Sequence, residues 1–210
     1  MRIEIWFDFI CPYCYLGERK LELALDKFEH RDEVTLIFKS FELNMASSAT
    51  KGKDINQIIS DKYGVSYAQA KANNDGIAEA ARQVGLDFHF ELLKVGSTRL
   101  AHEIAHYAAS QGKDQELIRR FFRGVFSEGI DLEDENLLFK LSKELGLDLS
   151  EFKAQQEKGV FTAEVQRDED EAGRLGINSI PHFIIDGKYT VSGAQSPEYF
   201  LDALQKAYRS

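Results

Sequence analysis

The hydrophobic period of this chain changes sharply near its start, and its only two cysteines stand at the change. Ile3, Ile5, Phe7 and Phe9 alternate with Glu4, Trp6 and Asp8, the period-two pattern of a strand. From Tyr15 onward, Leu16, Arg19, Lys20, Leu23, Ala24, Lys27 and Phe28 recur at helical spacing, and Val34 to Phe41 reads as a second strand. Cys11-Pro12-Tyr13-Cys14 lies at the junction of strand and helix. A strand–helix–strand start of this kind predicts an α/β chain with two thiols at a helix N-terminus.

That position suits thiol chemistry. Cys11 falls near the N-cap, where unpaired backbone N–H groups and the positive end of the helix dipole favour an anion. A thiolate in such a setting is expected below the free value of about 8.5. Pro12 costs no hydrogen bond in the first turn. Cys14 lies roughly one turn further on, within reach of a mixed disulfide formed at Cys11. The expected roles are attack by Cys11 and resolution by Cys14. A zinc site is the first alternative, but two cysteines supply half of a usual ligand set, and only His102 and His106, at helical spacing, are candidates for the rest. No metal is expected.

Charge narrows the partners. With 26 basic against 35 acidic residues the net charge is -9, which disfavours a nucleic-acid or membrane surface and leaves proteins or small molecules. No apolar run approaches the roughly 18 residues of a membrane span. The first residues carry Glu4 and Asp8 inside the apolar stretch and no small-residue cleavage site, so a cytoplasmic location is expected.

The far end repeats the strand theme. Ile180-Pro181-His182-Phe183-Ile184-Ile185 places a proline before an apolar strand, Asp186-Gly187 signals a hairpin, and Tyr189-Thr190-Val191 is the return strand. Ser196-Pro197 opens a last helix through Phe200, Leu204 and Tyr208. Between Phe41 and Gly159 the pattern is helical: about Ile55 to Tyr63, Tyr67 to Val84, a helix through Leu100 and Ile104 capped by Ser97, one capped by Asp114 and running through Phe126, and one through Leu137 and Leu145 closed by Gly146. A further helix, Thr162 to Leu175, returns toward the strands.

The segments DFICPYCYLG, FELN and SIPHFIIDGKYTVSGAQ, with the helical stretch between them, resemble the DsbA-like thioredoxin family, and within it the cytosolic FrnE-type branch. The resemblance implies a thioredoxin-like fold with a large inserted helical domain: residues 1–42 and 160–210 form the thioredoxin-like part and residues 43–159 the insertion. It implies thiol–disulfide oxidoreductase or isomerase activity at Cys11 and Cys14 without an organic cofactor, on protein or low-molecular-weight thiols and disulfides, glutathione among them. It further implies a cis bond before Pro181, leaving the Ile180 backbone to bind an extended substrate. Around this site, Pro12 and Tyr13 are expected to contact substrate or tune the pair. Asp8 is read either as a carboxylate acting on the thiolate or as a solvated strand end. His102 either faces the groove or is a satisfied helix histidine, Gln195 lines the groove or belongs to its turn, and the direction of His182 is open.

Two rivals stand beside this reading. Kappa-class glutathione transferases and 2-hydroxychromene-2-carboxylate isomerases are similar in fold, but they carry serine where this chain has Cys11 and an Asp-Arg-like pair where it has Gln195-Ser196. The second rival is a non-catalytic binding module on a thioredoxin platform.

Overall fold

A computed structural model describes residues 1–45, 50 and 52–209. Among the described residues four strands form one sheet: β1 (Arg2–Phe7), β2 (Thr35–Ser40), β3 (His182–Ile185) and β4 (Tyr189–Ser192), in the order β2-β1-β3-β4. β1 and β2 are parallel, joined through α1 (Pro12–Leu25), while β3 is antiparallel to β1 and to β4. The sheet therefore draws on both ends of the chain. The hairpin turn is where it was expected, with Asp186 and Gly187 both at positive φ (48° and 67°), as a two-residue turn of this hand requires.

The remaining helices are α2 (Ile55–Tyr63), α3 (Tyr67–Arg82), α4 (Arg99–Ala109), α5 (Asp114–Arg123), α6 (Glu135–Glu144), α7 (Phe152–Glu157), α8 (Val160–Leu175) and α9 (Pro197–Arg209). Their ends follow from local chemistry. Asp54 accepts the Asn56 and Gln57 N–H groups at the start of α2, and Ser66 with Gln69 forms a reciprocal capping box on α3. Ser196 accepts the Tyr199 N–H ahead of Pro197, as the Ser-Pro pair predicts.

Several expected boundaries move. β1 ends at Phe7, not Phe9: the chain leaves the sheet at buried Asp8 and turns through Phe9 and Ile10 to place Cys11 at the helix cap. Ser97 is not the cap of α4: Thr98 holds that position, and Ser97 Oγ accepts the Arg99 N–H at 3.3 Å. Asp114 is the first residue of α5 after Lys113 rather than its cap. The stripe from Leu117 to Phe126 is not one α-helix; from Gly124 to Glu128 it continues as a π-helical turn. Gly124 packs against Ile130, and a Cβ there would come within 2.5 Å of the isoleucine Cδ1.

Two large apolar cores result, beside a small cluster of Trp6, Ala172 and Ile177. One lies between the sheet and helices α1 and α9, around Ile3, Ile5, Leu21, Phe183, Phe200 and Leu204. The larger is helical, around Ile104, Leu117, Phe121, Phe122, Phe126 and Phe152, and it takes in Phe7, Phe9, Cys11, Cys14 and Tyr15 from the start of the chain. Phe38 touches both. No helix among the described residues is long and apolar enough to cross a membrane.

Candidate active site

Cys11 is the N-cap residue of α1, with extended backbone (φ -88°, ψ 111°), and Pro12 opens the helix. The Asp8 carbonyl accepts the Cys11 N–H at 3.1 Å, and the Cys11 carbonyl accepts the Cys14 N–H at 3.0 Å. No side chain caps this helix, so the cysteine faces its positive end directly. Both cysteines are free thiols, and both are buried. Burial pushes the Cys14 thiol well above its ordinary range; a hydrogen bond with Cys11 and the Cys11 charge push the same way, the Asp8 charge adds to them, and a hydrogen bond with the Asp8 backbone opposes.

The Ile180–Pro181 peptide is cis, and the Ile180 carbonyl oxygen lies 3.9 Å from Cys11 Sγ. The Pro181 carbonyl accepts the Gly193 N–H at 2.8 Å. Gly17 makes this approach possible. A Cβ on Gly17 would meet Pro181 Cγ at 3.0 Å and Phe183 Cζ at 3.3 Å, so α1 sits this close to the proline only because the residue lacks a side chain. Sequence reasoning missed Gly17, although a glycine inside a helical pattern is itself a signal of close packing.

A groove of about 440 Å³ opens beside Cys11. One wall is Ile10, Pro12 and Tyr13 with Asn178, Ser179 and Ile180. The other comes from the helical middle: Ile55, Ile59 and Tyr63 of α2, Asn73, Asn74 and Ile77 of α3, and Phe90 and Leu93 beyond them. None of the described lining residues is charged. Tyr13 and Tyr63 are exposed on its rim. The middle residues escaped the sequence reading because helical periodicity identifies a buried face without naming what it faces.

Behind the thiols the surroundings are charged. Asp8 is fully buried, which overturns the solvated strand-end reading. Its carboxylate accepts the Leu43 N–H at 2.7 Å and meets His102 Nε2 at 3.3 Å. His102, on α4, is buried against the rings of Phe7 and Phe9, with centroids 5.1 and 5.0 Å away. It is a satisfied helix histidine and does not line the groove. Gln195 likewise belongs to its turn, its side chain donating to the Ser192 carbonyl at 2.9 Å. His182 lies on β3 opposite Trp6, edge-on to the indole, and burial holds its pKa below the ordinary value.

The histidines weighed as zinc ligands do not join the cysteines. His106 Nε2 lies 3.0 Å from Ser40 Oγ and 3.2 Å from Asp168, and its Nδ1 lies 3.3 Å from Glu164. Among the described residues no group of three or more His, Cys, Asp and Glu is placed to hold a metal ion.

Comparison with known proteins agrees with this geometry. A family model for the DSBA-like thioredoxin domain matches residues 2–205. The chain is 27% identical to the uncharacterized protein YwbO of Bacillus subtilis (strain 168), over 97% of this chain and 96% of that one. Among solved structures it is similar to the probable DsbA oxidoreductase SCO1869 from Streptomyces coelicolor, at 36% identity and a TM-score of 0.91, covering 100% of this chain and 91% of that one. The cytosolic disulfide reductase DsbM from Pseudomonas aeruginosa, solved also with GSH, shares the fold at 17% identity and a TM-score of 0.70, covering 100% and 99% of the two chains.

Proposed function

The chain belongs to the DSBA-like thioredoxin domain family of thiol–disulfide oxidoreductases, and from that premise we propose that it exchanges disulfides through Cys11 and Cys14. Cys11 attacks one sulfur of a partner disulfide and the other sulfur leaves as a thiol. Cys14 then attacks Cys11, closing the Cys11–Cys14 disulfide and releasing the second partner thiol. The pair loses two electrons and the partner gains them; run backward, the same steps oxidise a dithiol. The electrons come from the thiols, and no cofactor enters. In a reducing cytoplasm, the proposed location, reductase or isomerase duty is favoured over net oxidation.

One observation carries this reading: Cys11 lies at the mouth of a groove and at the N-terminus of α1, with Cys14 buried behind it and held as a thiol. The groove supports an apolar stretch of a protein chain as the principal partner, since a charged tripeptide such as glutathione finds no ionic anchor among its described lining residues. The Ile180 backbone and cis Pro181 supply an extended edge beside the sulfur. Against a kappa-type transferase stand Cys11 in the serine's place and Gln195 bonded into its own turn.

Cys14→Ala is expected to stall at the mixed disulfide, leaving on Cys11 a covalent adduct that survives denaturation and dissolves on reduction. Cys11→Ala is expected to trap little. In a cell extract, a ladder of protein adducts supports the proposed partners, and a single glutathione adduct moves the partner assignment to glutathione. If neither variant traps anything while the wild type turns over a non-disulfide substrate, the redox reading is wrong.

A further inference from the structure

We propose that Tyr63 is a specificity-determining residue of the exchange: its ring is the contact through which the helical middle holds an apolar side chain beside the cysteine of the partner's disulfide. This rests on the dithiol reading above and deepens it, because it names the residue that selects the partner. Tyr63 and Cys11 line one groove, Tyr63 from the end of α2 and Cys11 from the start of α1. The tyrosine is 65% exposed, against 48% for Tyr13 on the other wall. A large ring held out of the core gains when a second apolar surface covers it, and tyrosine does so while fixing only two side-chain torsions. Tyrosines seated in such pockets are among the residues that carry most contact energy.

The ring is presented by a braced helix. Asp54 caps the start of α2, and Ile55 and Ile58 are buried beneath it. Asn74 of α3 donates its side-chain N–H to Asn56 Oδ1 at 2.8 Å. Directly after Tyr63, Gly64 closes the helix at φ 68°, and Ser60 Oγ donates to the Val65 carbonyl at 2.7 Å. The contact is therefore in place before a partner arrives, and little of its energy goes into ordering. The groove also holds Ile59, Ile77, Phe90 and Leu93, so an apolar side chain seated there meets further apolar surface. A charged side chain would lose water without an ionic partner among the described lining residues. One cation lies close, Lys62 with Nζ 5.7 Å from the Tyr63 ring centroid, but it lines a separate cleft with Lys53 and Asp61.

Two synthetic peptides test this with the intact reduced protein. Each carries its single cysteine as a mixed disulfide with thiopyridine, and they differ only in having leucine or serine at the two positions on either side. Cys11 bonds to the peptide sulfur as the peptide–thiopyridine bond breaks and the coloured thione leaves. Cys14 then bonds to Cys11 and displaces the peptide as a thiol. Each rate is divided by that of the same peptide with free dithiothreitol, which removes differences in intrinsic reactivity. Wild type is expected to prefer the leucine peptide about tenfold. Tyr63→Ser should bring the two peptides within about twofold of each other, whereas Tyr63→Phe and Lys62→Gln should keep the preference. No preference in the wild type, or one that survives Tyr63→Ser, overturns the proposal. So does a preference lost in Tyr63→Phe, which would assign the contact to the hydroxyl, or in Lys62→Gln, which would assign it to the ammonium. The 2-hydroxyethyl mixed disulfide of thiopyridine tests the chemistry without a peptide. A wild type that releases thione from it no faster than Cys11→Ala overturns the dithiol reading itself, and this proposal with it.

Discussion

The sheet-side core and the helical core differ in what they bury. Between the sheet and α1 and α9 lie aliphatic and phenyl groups, with Phe183 edge-on to Phe200 at 4.8 Å. The helical core holds both thiols, and the buried carboxylates among the described residues find partners on the helices around it. Asp8 pairs with His102 of α4, Glu18 with Arg119 of α5, Glu103 with Gln156 of α7 and Thr162 of α8, and Asp168 of α8 with His106 of α4. A buried charge survives only with a partner fixed in place. The strands and α1 present the cysteines, and the helical middle supplies the groove wall and the ionic partners behind them.

Matched truncations in the two cores would expose that difference. Phe122 stacks on Tyr15 at 5.0 Å next to the thiols, and Phe200 fills the sheet-side core. Phe122→Ala and Phe200→Ala are each expected to cost about 3–5 kcal/mol in denaturant unfolding. Only Phe122→Ala should also change the alkylation rate of the cysteines; equal effects on the thiols would erase the distinction between the cores.

A smaller effect is expected where the helices grip the sheet. Burial tends to raise the Asp168 carboxyl, but the His106 and Ser40 hydrogen bonds and the Lys39 charge outweigh it and hold the group below the ordinary carboxylate range. A carboxyl lower in the folded than in the unfolded chain adds stability that is complete above the unfolded value of about 3.9 and is lost as pH falls through the folded one. Asp168→Asn should therefore cost about 3 kcal/mol at neutral pH. Thermal unfolding against pH should show the gap to wild type narrowing below about pH 4, and a constant gap would assign the loss to packing.

The smallest effect concerns the uncharged groove. Ile59→Lys places a cation on its wall. Relative to wild type, it should raise the rate with oxidised glutathione over that with a neutral aryl disulfide by up to about tenfold, the scale of one partly screened charge pair. An unchanged ratio would mean that partners do not contact this wall.

Local chemistry made several features readable without coordinates. Change of hydrophobic period placed Cys11 at a helix N-terminus, Asp186-Gly187 announced the hairpin, and Ser196-Pro197 opened α9, because each depends on neighbours a few residues away. The α2 and α3 spans were readable for the same reason, since their caps lie in the sequence beside them. Which face meets which was not readable. The burial of Asp8 depends on His102, 94 residues away, and on Leu43. The close seat of α1 on Pro181 depends on the missing side chain of Gly17. Helical periodicity marked the spans about Ile55 to Tyr63 and Tyr67 to Val84, but not the groove beside Cys11 that Ile59 and Ile77 line. The sequence encodes caps, turns and periods through short-range sterics and hydrogen bonds. Pairing across the core is settled only when the chain closes, because desolvation and shape fit act between surfaces that do not exist until the helices pack.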